Sequence, residues 1–211
     1  MRLILARHGN TFEPGTQAVW VGGRTDLPLA TKGRIQARQV GDFLLRRSVS
    51  LAAIYCGPLK RTVETASIAV ETAAALSPPE LQIDERLREL DYGLWEGLAT
   101  EKIVQLYGPH EIESWETESV WPRGAGWKPE KEVVLANVQN LLNEWEKTLR
   151  SGADAAVLVV SSNGFFRLLA ERMGIPPQDR KMATGHVSIV SLVVPGHRWQ
   201  VDTWNTSPSL L

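Results

Sequence analysis

Arginine, histidine and glycine stand together at positions 7 to 9, where the apolar run Leu3-Ile4-Leu5-Ala6 ends. Arg offers a planar fork of donors that matches phosphate oxygens. Imidazole is a nucleophile or proton carrier near neutral pH. Glycine lets a ligand or a second backbone approach closely. A second cation, Arg61, follows Gly57-Pro58 and falls in the first turn of an expected helix. A cation is disfavoured there unless an anion binds beside it. Carboxylates crowd the stretch Asp84 to Gly97, and composition alone does not choose among them. Each group also has a plain structural reading: His8 as a turn residue, Arg61 as a solvated helix cation, any one carboxylate as an exposed loop charge.

The elements that must position these groups alternate along the chain. The run before Arg7 reads as a buried strand, and ligands bind at the carboxyl edge of open α/β sheets. A long loop rich in Gly and Pro follows, from Phe12 to Pro28. Thr31 is the expected N-cap of a helix reaching about Arg47, with Ile35, Val40, Phe43 and Leu44 as its buried stripe. Leu51 to Cys56 reads as a second strand. Leu59, Val63, Ala66, Val70 and Ala73 recur at helical spacing behind it. Leu81 to Ile83 reads as a short third strand. Residues 98 to 129 are irregular and read as a small lid insertion, with helices expected at Thr100 to Tyr107 and Glu111 to Glu118. Glu130 to Leu149 is an amphipathic helix, ended by Ser151-Gly152. Ala155 to Ser161 is a near-continuous apolar run, fitting a central parallel strand buried on both faces. Ser162-Asn163-Gly164 opens another helix. Val187 to Val194 and Arg198 to Trp204 flank Pro195-Gly196-His197 as an antiparallel edge hairpin. This order predicts an α/β fold: a three-layer α/β/α sandwich with a mostly parallel sheet, in one domain over residues 1 to 211.

Composition limits the functions available. A formal net charge of -1 provides no general attraction to nucleic acid or anionic membrane, so no nucleic-acid or membrane partner is expected. The single Cys56 excludes an intrachain disulfide and fits a reducing compartment. His8, His110, His186 and His197 lack metal-site spacing, so no metal is expected. The N-terminal stretch is too short for a signal segment, and no apolar run is long enough to span a bilayer. The expectation is a cytoplasmic protein.

Four segments carry a resemblance to a known family. Arg7-His8-Gly9-Asn10-Thr11 at a strand end resembles the signature of the histidine phosphatase superfamily, the phosphoglycerate mutase-like proteins. Gly23-Arg24-Thr25-Asp26-Leu27-Pro28-Leu29 resembles the family's segment after that signature. Leu59-Lys60-Arg61-Thr62-Val63-Glu64-Thr65-Ala66 resembles its second-arginine helix. Leu87-Arg88-Glu89-Leu90-Asp91-Tyr92-Gly93-Leu94-Trp95-Glu96-Gly97 resembles its acid motif, closest in wording to alpha-ribazole phosphatase-like members.

The resemblance implies a phosphomonoester hydrolase acting on a small phosphorylated metabolite without a cofactor. Arg7 and Arg61 would clamp the phosphate, with Asn10 adding a neutral donor. His8 would attack phosphorus and form a phosphohistidine. Glu89 would protonate the leaving alkoxide, its pKa raised by the bound dianion. Gly23 and Arg24 would lie on the substrate side. Trp127, in the lid with Trp115 and Trp121, would stack on a leaving group or pack the lid onto the domain.

The chain departs from the family in one place that bears on chemistry. The family's second histidine, after the central strand, is here Asn163. Three readings stand: Asn163 serves as a weaker neutral donor; His186, before the first hairpin strand, supplies an imidazole to the phosphate; or the protein is a weakly active regulatory protein that binds phosphorylated ligands. The Glu that many relatives carry near Gly124-Ala125-Gly126 is also missing. A cofactor-dependent phosphoglycerate mutase is the other enzymatic reading. The short lid, with Arg123 and Lys128 as its nearby cations, favours the phosphatase. His110 and His197 read as surface turn residues. The oligomeric state is not legible.

Overall fold

A computed structural model of the chain describes residues 1–150, 155–193, 196 and 198–211. Six strands form one sheet in the order β3-β2-β4-β1-β5-β6: β1 (Arg2–Arg7), β2 (Leu51–Cys56), β3 (Leu81–Ile83), β4 (Ala156–Ser161), β5 (Val187–Val193) and β6 (Arg198–Thr206). β4 lies between β1 and β2, parallel to both, and all six of its residues are buried. This is the central strand expected from its unbroken apolar run. β5 pairs antiparallel with β1 and β6, so the hairpin forms one edge.

Strand side chains alternate between faces, and the two faces have separate cores. Ile4 and Ala6 of β1 pack with Val40, Phe43 and Leu44 of α1 (Thr31–Arg46) and with Ala66, Ala69 and Ala73 along α2 (Lys60–Thr72) and its C-cap. Leu3 and Leu5 pack on the other face with Val138 and Leu141 of α5 (Lys131–Arg150) and Phe165, Phe166 and Leu169 of α6 (Asn163–Arg172). Helices therefore cover both faces, which is the three-layer α/β sandwich.

Between β3 and α5 the chain forms α3 (Thr100–Tyr107) and α4 (Pro109–Glu118). Pro109 is the first residue of α4, where its missing N–H costs nothing, so the helix starts two residues earlier than expected. No helix among the described residues is long and apolar enough to cross a membrane.

Two local expectations are corrected. Thr31 is the first helical residue and Ala30 is the cap; the Glu13 carboxylate accepts from the Thr31 N–H (2.8 Å) and hydroxyl (3.0 Å). A carboxylate from the long loop thus serves the helix N-terminus, where negative charge is favoured. Ile35 is 50% exposed. The buried line of α1 runs through Gly33, Ala37, Val40 and Leu44, and Ile35 lies two residues, about 200°, around the helix from Gly33. The Ser151-Gly152 stop and His197, with most of its turn, lie outside the described residues.

Candidate active site

The sheet register brings separate motifs to one edge. Arg7 is level with Ser161 in the parallel β1–β4 pair, and the His8 N–H donates to Ser161 O at 3.0 Å. His8 and Asn163 therefore leave neighbouring strand ends. Gly57 donates to Val160 O at 3.0 Å, which holds the end of β2 against β4 and places Arg61 in the first turn of α2 at the same edge. The segment after β3 is tied down by the Ser161 hydroxyl, which donates to Leu87 O at 2.7 Å, and it carries Glu89. Two glycines allow this convergence. A Cβ on Gly9 would lie 2.3 Å from Gly33 O, so the signature loop packs directly on the backbone of α1. A Cβ on Gly164 would lie 2.4 Å from Glu89 Oε1, so the residue after Asn163 must lack a side chain for Glu89 to enter.

Arg7, His8, Asn10, Arg61, Glu89 and Asn163 all line one cavity of about 340 Å³. His8 is 6% exposed and its Nδ1 lies 2.8 Å from Gly9 O. The carbonyl can only accept, so Nδ1 carries the proton and Nε2 keeps its lone pair. Burial first, then the positive charges of Arg61 and Arg7, hold the His8 pKa well below the usual histidine range. The ring is neutral at physiological pH and is a nucleophile or acceptor through Nε2.

The two guanidinium groups are fixed by backbone carbonyls. Arg61, 1% exposed, donates to Thr25 O (2.8 Å) and Gly22 O (3.1 Å). Arg7 donates through Nη1 to Met182 O. Both Nε atoms are buried without a partner among the described residues. Burial lowers the pKa of each, with Glu89 opposing; an arginine stays charged under these conditions. Glu89 Oε1 accepts from Leu90 N (2.9 Å) and Oε2 from Gly164 N (3.2 Å). Tyr92, also in the cavity wall, lies close to Glu89, and burial first, then that carboxylate, push the phenol well above its ordinary pKa. Tyr92 is thus a neutral hydroxyl beside the acid.

Several expected positions fall elsewhere. His186 is not in the cavity wall. Its backbone sits at the predicted edge, where its O accepts from Arg7 N at 3.0 Å, but its Nδ1 is 3.0 Å from Asn205 O on β6. That contact directs the imidazole to the hairpin. Asn163 is in the wall and 9% exposed; its Oδ1 accepts from Met182 N at 3.0 Å, leaving the amide NH2 as its free group. Asn10 is in the wall, but its Nδ2 already donates to Phe12 O at 2.7 Å.

Gly23 and Arg24 do not line this cavity. The Gly23 N–H donates to Leu90 O at 2.7 Å, and Arg24 pairs with Asp91 (3.0 Å) and Glu96 (3.4 Å). They line a second cavity, whose wall also includes Glu89 and Asp91. Trp127 is 2% exposed and is packed among aromatic rings, with Tyr92 at 4.7 Å, Trp115 at 4.8 Å and Trp95 at 5.3 Å between centroids. Of its two expected roles, packing is the one its position serves.

Sequence reasoning missed Trp20, Thr100, Glu116 and Lys181, which line the outer part of the cavity. They come from the long loop, α3, α4 and the segment before β5. No motif marks them. Tyr92 and Gly164 were in quoted segments but carried no assigned role.

A buried neutral imidazole at parallel strand ends, lining one cavity with two guanidinium groups and a carboxylate, is an arrangement suited to binding phosphoryl groups. The chain belongs to the histidine phosphatase superfamily (branch 1), whose family model matches residues 3–207. It is 28% identical to a glucosyl-3-phosphoglycerate phosphatase of Mycolicibacterium vanbaalenii, over 98% of this chain and 95% of that one. It is also 28% identical to a 2,3-bisphosphoglycerate-dependent phosphoglycerate mutase of Leifsonia xyli, over 84% of this chain and 79% of that one. The solved structure of a mycobacterial glucosyl-3-phosphoglycerate phosphatase superposes with a TM-score of 0.79 at 26% identity, covering 98% of this chain and 99% of that one.

Proposed function

We propose that the protein hydrolyses small phosphorylated metabolites through a phosphohistidine, with water as the final acceptor. The observation that carries this is the His8 ring: buried, neutral, with Nδ1 on Gly9 O, Nε2 without a partner among the described residues, and Arg7 and Arg61 near enough to act on its charge.

Substrate phosphate is held by Arg7 and Arg61, with the Asn163 amide as a neutral third donor. The Nε2 lone pair forms an N–P bond as the P–O bond to the leaving alcohol breaks. Glu89, entering as the carboxylic acid, gives its proton to that oxygen. Water then attacks phosphorus, Glu89 takes the water proton, and the N–P bond breaks to release phosphate and neutral His8. Fixed charges aimed at the phosphoryl oxygens supply most of the acceleration in such transfers. The backbone anchoring of both guanidinium groups means little reorganisation is needed. The Leu90 and Gly164 N–H groups keep the Glu89 carboxylate in place. The single buried Cys56 fits a reducing, cytoplasmic setting.

The test is phosphate release from para-nitrophenyl phosphate in the presence of chelator, with acid-quenched protein assayed for phosphohistidine. Wild type should turn over and label. His8→Ala should lose about 10³-fold or more in kcat and all labelling; near-normal turnover would show that His8 is not the nucleophile. The Leifsonia relative favours a second reading, transfer between phosphoglycerates. Interconversion of 2- and 3-phosphoglycerate that depends on 2,3-bisphosphoglycerate would replace the hydrolase reading.

A further inference from the structure

Beyond the phosphate end, the cavity is about 340 Å³ in all, and a water molecule occupies about 30 Å³ in the liquid. There is room for a leaving group of several non-hydrogen atoms. Part of the remaining lining is apolar or aromatic: Phe12, Val19, Trp20 and Val21. Part is polar: Thr100, Glu116 and Lys181.

Glu116 is the unexpected member. A carboxylate in the wall of a phosphate site repels the incoming dianion, and this one lies near enough to Arg7 to act on its charge. The protein offsets that repulsion with two cations. Arg167, completely buried, reaches Glu116 Oε2 at 3.2 Å and also donates to Trp115 O (3.0 Å), Glu116 O (3.1 Å) and the Ser119 hydroxyl (3.3 Å). Its guanidinium lies over the Trp115 ring, 5.0 Å from the centroid. Lys181 reaches the same Oε2 at 2.8 Å. Both cations use Oε2; Oε1 accepts no hydrogen bond from the described residues. The carboxylate is therefore held through one oxygen by two cations, compensated in charge, and its other oxygen is left as an unused acceptor among the described residues. Thr100 complements it. Its oxygen accepts from the Trp20 indole N–H at 3.1 Å, so its own proton is available to donate.

We propose that this outer wall selects a hydroxyl-bearing leaving group, so that the preferred substrates are phosphomonoesters of polyols or sugars. Glu116 Oε1 accepts from a leaving-group hydroxyl, Thr100 Oγ1 and Lys181 Nζ donate to others, and the carbon framework lies against Trp20 and the valines. An acceptor locked by two cations matches a substrate O–H, because a ligand lacking that hydroxyl strips water from the carboxylate without replacing it. The inference rests on the phosphomonoesterase reading and concerns only which alcohol leaves.

The experiment compares kcat/KM on glycerol 3-phosphate and sorbitol 6-phosphate with that on propyl phosphate and hexyl phosphate, and with para-nitrophenyl phosphate as a leaving group without hydroxyls. Wild type should favour each polyol ester over the alkyl ester of equal carbon number. In Glu116→Gln the ratio of polyol to aryl kcat/KM should fall about 10- to 100-fold, mainly through KM, the range expected for hydrogen bonds to a charged group. Lys181→Met should lower the same ratio less. Melting temperature shows whether each variant is folded. A wild type with no preference for hydroxylated esters, or folded variants in which polyol and aryl esters lose activity equally, would overturn the proposal and leave Glu116 as a fixture of α4. Absence of turnover on every ester, the aryl phosphate included, would instead remove the phosphatase reading beneath it.

Discussion

At the floor of the cavity, functional side chains leave the backbone close to a strand end. His8 follows β1 directly, Asn163 is two residues past β4, and Arg61 is five past β2. Their positions are set by ladder hydrogen bonds and parallel register. At the mouth, Glu116 and Lys181 meet across 65 residues of chain, from α4 and the segment before β5. Here the anchor is a buried arginine and a set of packed aromatic rings. A strand end fixes a side chain because its backbone has no freedom left. A helix in an insertion is fixed only as well as its packing. Groups at the floor are therefore fixed to the tolerance that catalysis demands of reacting groups, while the mouth, where selection is proposed, depends on side-chain packing.

This contrast can be broken by experiment. Trp127→Ala removes the centre of the aromatic packing and should cost about 3–5 kcal/mol of unfolding free energy, measured by denaturant titration. At temperatures where the variant stays folded, its para-nitrophenyl phosphate kcat should remain within a few fold of wild type. A loss of hundreds-fold would mean that mouth and floor are one unit. Arg61→Met should do the reverse, lowering kcat/KM about 10²- to 10³-fold with only a modest change in melting temperature. A change smaller than tenfold would remove Arg61 from the phosphate clamp.

Smaller effects sharpen the floor itself. Asn163→Ala should reduce kcat/KM about tenfold, the worth of a neutral hydrogen bond or somewhat more, and His186→Ala should change it less than twofold. The opposite ranking would restore His186 as the second imidazole. The pH dependence follows from His8. Its pKa is depressed in the folded state, so the acid limb of kcat/KM should lie below the ordinary value of about 6.5. Arg61→Met should move that limb upward. Unfolding reads the same group: the unfolded chain binds a proton on His8 that the folded chain refuses, so stability rises with pH between the depressed value and about 6.5 and falls as pH drops through that window. An acid limb above 6.5 in wild type would contradict the electrostatics described.

The sequence by itself determined the strands, their order of helices and the identity of the floor. β4 is an unbroken apolar run, and only a doubly covered central strand accommodates one. His8 and Arg61 stood out by residue type and place, at a strand end and in a helix's first turn, whereas Glu89 was singled out among its neighbouring carboxylates only by the resemblance of its segment to the family's acid motif. Residue spacing did not say which face Ile35 would take, since the buried line of α1 is set by the approach of Gly33 to the signature loop. Nor did spacing decide between Asn163 and His186. Both leave the correct sheet edge, and the choice fell to side-chain contacts: Met182 N–H fixing one amide, Asn205 O holding the other ring.

Trp127 shows the same division. A tryptophan in a lid is equally fitted to ligand or core until the rings around it are placed. Glu116 and Lys181 had no local signal at all, because a pair built from distant segments exists only in three dimensions. Local backbone rules and hydrophobic pattern thus specified the scaffold, and motif resemblance picked out the candidate groups that meet at its edge. Which side chains face the substrate, and which turn away, was decided by tertiary packing and by the hydrogen bonds that buried polar atoms are obliged to find.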